Sequence, residues 1–205
     1  MSLSVSVATG LYGISFGALG VAGGLTVWQT QLLSIAMFTG GSQFAFVASL
    51  AGGGPAAVAA ASLMGVRNAI YGAQVNALLR PTGWRRLVAA HVSIDESVAV
   101  ALAQTPTNQR RGFWLTGLGV FVCWNAMTLV GALATSLVDP RAWGLDGAAV
   151  AAFLGLLWPR LRNRDAIAIA CVTGLVAVVF TPWLPLGTPI LIAAAVAALL
   201  GWVRR

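Results

Sequence analysis

The chain has 205 residues, of which 59% are hydrophobic and only 8% charged, and its mean hydropathy is +0.86. Soluble domains carry about 25% charged residues, so this composition excludes an ordinary soluble protein and indicates an all-α polytopic membrane protein. All twelve basic residues are arginines and the net charge is +7, but most of them lie between apolar segments and not along one soluble face. That spacing excludes a nucleic-acid surface and reads as positive-inside loop charge.

The opening MSLSVSVATG has no basic n-region and no small-residue cleavage site, so the first apolar stretch is expected to belong to the mature protein. Segment one, about Val5 to Ala22, carries Gly10, Gly13, Gly17 and Gly20. Its Ser15–Gly17 stretch reads either as close helix packing, the favoured reading, or as a break. Thr26 is placed to cap the next helix. Segment two, Val27 to Leu50, contains FTGGSQFAF. Gly40, Gly41, Ser42 and Gln43 at membrane depth fit an interrupted helix lining a polar cavity, or equally a small-residue packing surface. Ala51 to Pro55 is expected to be a turn.

Segment three, Pro55 to Leu79, has Arg67 at its midpoint, with Arg67, Tyr71 and Gln74 on one helical stripe and Asn68 beside them. A basic loop follows, with Arg80, Arg85 and Arg86. Segment four, Leu87 to Gln104, is polar at its centre and holds His91, Ser93, Asp95, Glu96 and Ser97. Spaced four apart, His91 and Asp95 are expected to share a helix face, with Glu96 on the neighbouring one. Segment five runs from Phe113 to Val138 after the polar loop Thr105 to Arg111. The slightly acidic loop Asp139 to Asp146, the short segment six (Gly147 to Pro159), the basic RLRNR, segment seven (Asp165 to Thr181), PWLP and segment eight (Leu186 to Val203) complete the chain.

If segments five to eight each cross once and segment four dips in and returns, ten arginines of loops and tail fall on one side. The expected architecture is therefore a single transmembrane domain over residues 1–205, with about seven to eight hydrophobic segments, some broken or re-entrant, and a cytoplasmic C-terminus. Glycine–leucine pairs at Gly24 and Gly144 hint at an inverted repeat. Cys123 and Cys171 lie in apolar segments without metal-ligand spacing and read as small buried apolar residues. No metal or cofactor is expected.

Charged residues inside apolar segments face protein or water, so the stretch from Ser62 to Leu102 reads as the functional centre. A zwitterionic amino acid needs a cation for its carboxylate, an anion for its ammonium and an apolar pocket; Arg67 and Asp95 or Glu96 supply the first two. The bland alternative is that Arg67 and Asp95 merely neutralise each other. A reading of another class is an intramembrane serine hydrolase using Ser42 and His91, although no GxSG-type sequence occurs. No GxxxxGK-type nucleotide motif occurs either.

SFGALGVAGGLT, FTGGSQFAFVASLAGGG, GVRNAIYGAQVNALLR and IDES, in this order, resemble the AzlC family, as do the later WN, GLD and LLWPRLR elements up to Arg162. The chain has TGGSQF and IDES where the family often has AGASQF and TDES. The resemblance implies the large subunit of a branched-chain amino-acid exporter in the cytoplasmic (inner) membrane. Such an exporter is a proton-driven secondary transporter, or permease, working with a small AzlD-like membrane subunit. On that basis the substrate site is expected at Arg67, Asn68, Tyr71, Gln74, Ser42 and Gln43, with proton coupling at Asp95, Glu96 and His91.

Overall fold

The computed structural model describes residues 1–50, 54–137, 154, 157–158, 161–184 and 188–203. Within them lie nine helices and no strand: α1 (Ser2–Ala22), α2 (Val27–Ala36), α3 (Gly41–Ser49), α4 (Gly54–Leu79), α5 (Trp84–His91), α6 (Asp95–Leu102), α7 (Gln109–Leu137), α8 (Arg164–Phe180) and α9 (Thr188–Val203). Segment six apart from residues 154 and 157–158, and the loop at 139–146 with Gly144, fall outside the described residues, as do Arg204 and Arg205. Pro55 does not sit in a turn; Gly54 already begins α4.

Two of these helices, α1 and α7, are long and apolar enough to cross a membrane. At 1.5 Å per residue, α7 with its 29 residues reaches about 44 Å. The two lie against each other in the same direction. Ser6 packs on Gly119, Gly10 on Cys123, Gly13 on Trp124 and Thr128, and Gly17 on Thr128 and Ala132. On α7, Gly131 meets the Ile14 backbone, leaving no room for a Cβ. The α1 glycines are thus packing positions, and the helix continues unbroken through Ser15–Gly17.

Segments two and four are each broken, and the contacts show each doubling back beside the α1–α7 pair. The first hairpin, α2–α3, starts at the C-terminal end of α1, where Thr30 packs on Gly20. It reaches inward until Phe38 meets Phe121, with ring centroids 5.1 Å apart, and returns until Val47 packs beside Gly23. The second hairpin, α5–α6, starts at the opposite end, where Trp84 and Arg85 share a groove with Arg110 and Trp114. It reaches inward to Val92 against Gly117 and His91 against Phe121, then returns to Val100 and Gln104 against Gly112. The basic stretches around Arg85 and Arg110 consequently lie at one end of the molecule. Between the hairpins α4 runs back past α3, bringing Gly65 beside Ser42 and Val75 into a cluster with Ala89, Val92, Val98, Ala101 and Phe113.

An inverted repetition follows from these directions. A long helix followed by a hairpin (α1 with α2–α3) recurs upside down (α4 with α5–α6); the echo expected between Gly24 and Gly144 involves a residue outside the described ones.

Each break is held by a buried polar side chain from its second half-helix. Gly40 takes φ +65°, which favours glycine, and Gln43 Nε2 donates to the carbonyls of Leu33 and Ser34 at 3.4 and 3.3 Å, satisfying the open end of α2. In the second hairpin, Ser97 Oγ accepts the Ile94 N–H at 3.0 Å and donates to the Val92 carbonyl at 2.7 Å. Thr26 caps α2 as expected, in a capping box with Gln29. On α8 and α9, Pro189 is the one residue described as buried, and Cys171 lies exposed instead of packed.

Candidate functional site

The hairpin tips meet halfway along α1 and α7, and there they enclose a cavity of about 110 Å³. Its wall takes Phe38, Thr39, Gly40 and Gly41 from the first break and Ile94, Asp95 and Glu96 from the second. Arg67 enters from α4, Thr9 and Tyr12 from α1, and Val120 and Trp124 from α7. Pockets for drug-sized ligands begin near roughly 300 Å³, so this one suits a compact solute.

Arg67 Nη1 donates to Asp95 Oδ2 at 2.8 Å, and Nη2 donates to the unwound carbonyl of Thr39 at 3.1 Å. One guanidinium therefore ties α4 to both breaks. The side chains of this pair are 29% and 31% exposed, so both still face the cavity and neither is sealed in the core. The α3 start carries no side-chain cap, and its glycines line the cavity, leaving first-turn N–H groups and the positive end of the helix dipole available to an anion. The α6 start is opposite in character, with Asp95 and Glu96 in its first turn. Among the described residues Glu96 forms no ion pair. A cationic pole and an anionic pole thus share a small cavity whose remaining wall is mostly apolar, with Thr9, Tyr12 and Thr39 as its uncharged polar members.

The structure brings together Arg67, Asp95 and Glu96 from the expected set, and it separates the others. Gln43 is 0% exposed and serves as the strut across the first break. Ser42 is buried beneath Gly65 and faces away from the cavity. Asn68 Nδ2 donates to the Ser93 carbonyl at 3.2 Å, fastening α4 to the second break. Tyr71 packs beside the Val75 cluster, and Gln74 is exposed. His91 ends α5 and Asp95 begins α6, so the helix face they were expected to share does not exist. The imidazole instead packs against Phe38 and Phe121, with centroids 6.1 and 5.7 Å away. Ser42 and His91 form no hydrogen bond with each other, so the pair a serine hydrolase would need is not assembled.

Sequence reasoning missed Thr9, Tyr12, Phe38, Thr39, Phe44, Ile94, Val120 and Trp124. Tyr12 was visible as a polar-tipped aromatic on a glycine-rich helix. The Thr39 carbonyl had no signal, because any residue offers one.

A family model described as AzlC protein matches residues 4–138, a span that contains every residue of the cavity wall. Compared with curated proteins and with solved structures, the chain gives no match. AzlC is a transporter family associated with branched-chain amino-acid transport, generally alongside a small AzlD partner. With two thirds of its length matched and its cavity wholly inside the match, the chain belongs to the AzlC family.

Proposed function

We propose that this chain is the large subunit of a secondary transporter that exports branched-chain, small neutral amino acids across the cytoplasmic membrane. It works as a single transmembrane domain with its C-terminus inside, coupled to protons and accompanied by a small AzlD-like subunit. The observation that carries this reading is the cavity where two broken helices meet, with a guanidinium and an uncapped helix start facing a pair of carboxylates. Half-helix termini at mid-depth are the way membrane proteins hold small charged solutes.

In this mechanism the substrate carboxylate takes the Arg67 guanidinium and the α3 start, and the ammonium takes Glu96. Phe38, Phe44, Ile94 and Trp124 supply the wall for a branched side chain. The carboxylate competes with Asp95 for Arg67, so binding frees Asp95 to accept a proton. A proton and an amino acid are thereby linked through one ion pair.

Counterflow of labelled valine in proteoliposomes, with and without the small subunit, tests the proposal; absence of counterflow in both would overturn it. Orientation is tested by single cysteines at Arg85 and Arg111 in a background lacking Cys123 and Cys171. Both should be protected from an impermeant thiol reagent added outside, and labelling of either would reverse the proposed sidedness.

A further inference from the structure

At the end of the molecule where α5 and α7 begin, a groove of about 480 Å³ is lined by Trp84, Arg85, Val88, Arg110, Trp114 and Leu118. Its chemistry is layered. Arg85 and Arg110 are both exposed, and among the described residues neither forms an ion pair with a carboxylate. The Arg85 guanidinium lies 5.9 Å from the Trp84 ring centroid. On α7, Arg110, Trp114 and Leu118 occupy successive turns, so the lining passes from cation to aromatic to aliphatic along the helix. Beyond the groove the outer face of α7 continues with Leu115 and Val122, 53% and 65% exposed. The first helix of the hairpin mirrors this order, with Trp84 and Arg85 one turn before Val88.

We propose that this groove binds an anionic phospholipid, its phosphodiester held by Arg85 and Arg110, its glycerol region against Trp84 and Trp114, and an acyl chain along Leu118 and Val122. Charge complementarity argues for the anion, because two guanidiniums from different helices converge on one groove with no carboxylate among its described lining residues. The aliphatic continuation argues for a lipid over free phosphate, since a soluble anion would make no use of it. Tryptophan flanked by arginine is the usual composition at the headgroup level of a membrane. The site rests on the proposed membrane location but not on the transport reading. It would fasten the second hairpin to α7 at its open end, about 12 Å along the eight-residue α5 from the cavity.

Tryptophan quenching tests it directly. The purified chain in neutral detergent is titrated with phosphatidylglycerol brominated on its acyl chains, and separately with equally brominated phosphatidylcholine. The anionic lipid should half-saturate at a mole fraction at least about fivefold lower, an advantage reduced roughly fivefold by each of Arg85→Gln and Arg110→Gln and absent in the double variant. Arg86→Gln, outside the groove, should leave it unchanged, and Trp84→Phe with Trp114→Phe should remove most of the lipid-specific quenching. Equal quenching by both lipids, or an unaltered preference in the double variant, would overturn the proposal. So would displacement of the lipid by millimolar inorganic phosphate, which would mark a free-anion site. Valine counterflow of the same protein reconstituted into proteoliposomes with the small subunit separates the outcomes. Quenching specificity without counterflow would refute the transporter reading alone, and counterflow without lipid preference would refute the lipid site alone.

Discussion

The α2–α3 hairpin and the α5–α6 hairpin approach the cavity from opposite ends, break at the same depth and present a helix start to the same space, yet their tips are chemically opposite. The first offers Gly40 and Gly41, with no charge and no cap, and is overlain by Arg67. The second offers Asp95 and Glu96. Unwinding a helix at depth exposes the same backbone groups in both cases. What differs is the side chain laid over them: glycine leaves the positive helix end open to a ligand, whereas acidic residues neutralise it and turn it into an anionic pole. A shared scaffold thereby yields a dipolar site, and Arg67 spans its two halves.

Removing the residue that spans them should have the largest effect. Arg67→Ala leaves Asp95 without its guanidinium and the α3 pole without its cation, and truncating one partner of such a pair costs roughly 2–5 kcal/mol. Valine counterflow should fall at least about 30-fold. Near-normal counterflow would mean that the dipolar reading of the tips is wrong.

Giving the first tip the chemistry of the second should come next. In Gly41→Asp the new Cβ would stand 3.0 Å from Arg67 Nη2, so the added carboxylate should occupy the guanidinium internally. The half-saturating valine concentration should rise by about tenfold or more, the worth of roughly 1.4 kcal/mol. An unchanged value would place the substrate carboxylate elsewhere.

Asp95→Asn sharpens the comparison by separating two activities. Exchange of valine for valine should survive and net proton-driven export should be lost, while Glu96→Gln should reduce both by a smaller factor. Export intact in Asp95→Asn would return Asp95 to a structural ion pair.

The smallest effect should be on the struts. Gln43→Ala removes the amide from the buried Ser34 carbonyl, at about 1–3 kcal/mol, and Ser97→Ala removes the hydroxyl that supports the Val92–Ile94 turn, at about 1 kcal/mol. Both should lower the thermal midpoint by a few degrees with the half-saturating valine concentration unchanged. A raised half-saturation in Gln43→Ala without loss of stability would return Gln43 to the substrate site.

How much of this was legible beforehand follows from the physics of each part. Long helices were read to within a few residues: α4 begins one residue before the expected Pro55, and α7 begins at Gln109, taking Arg110 and Arg111 into its first turn. The break in segment four was legible because His, Asp and Glu inside an apolar run are costly on a lipid-facing helix. Likewise, the pairing of Arg67 with Asp95 was legible from charge scarcity, since few opposite charges were available to each other. The roles of Gln43 and His91 were not. A buried amide that caps an open helix end and one that binds a solute have the same sequence, and only the position of the Leu33 and Ser34 carbonyls tells them apart. For His91, periodicity assumed a continuous helix across Val92–Ile94, and a break cancels the four-residue rule at the point where it is applied.

The sequence by itself determined the membrane-type composition, the helical segments, the family and the presence of opposite charges in apolar stretches, because these depend on local composition and spacing. Tertiary structure alone decided which of those charges share a space. It folded segments two and four into hairpins from opposite ends, brought Thr9, Tyr12 and Trp124 to a cavity from helices far apart in the chain, and set Arg85 beside Arg110. Such neighbourhoods depend on the direction in which each helix runs after a break. A few residues of backbone at Met37–Gly40 and Val92–Ile94 set that direction, and packing against α1, α4 and α7 selects it.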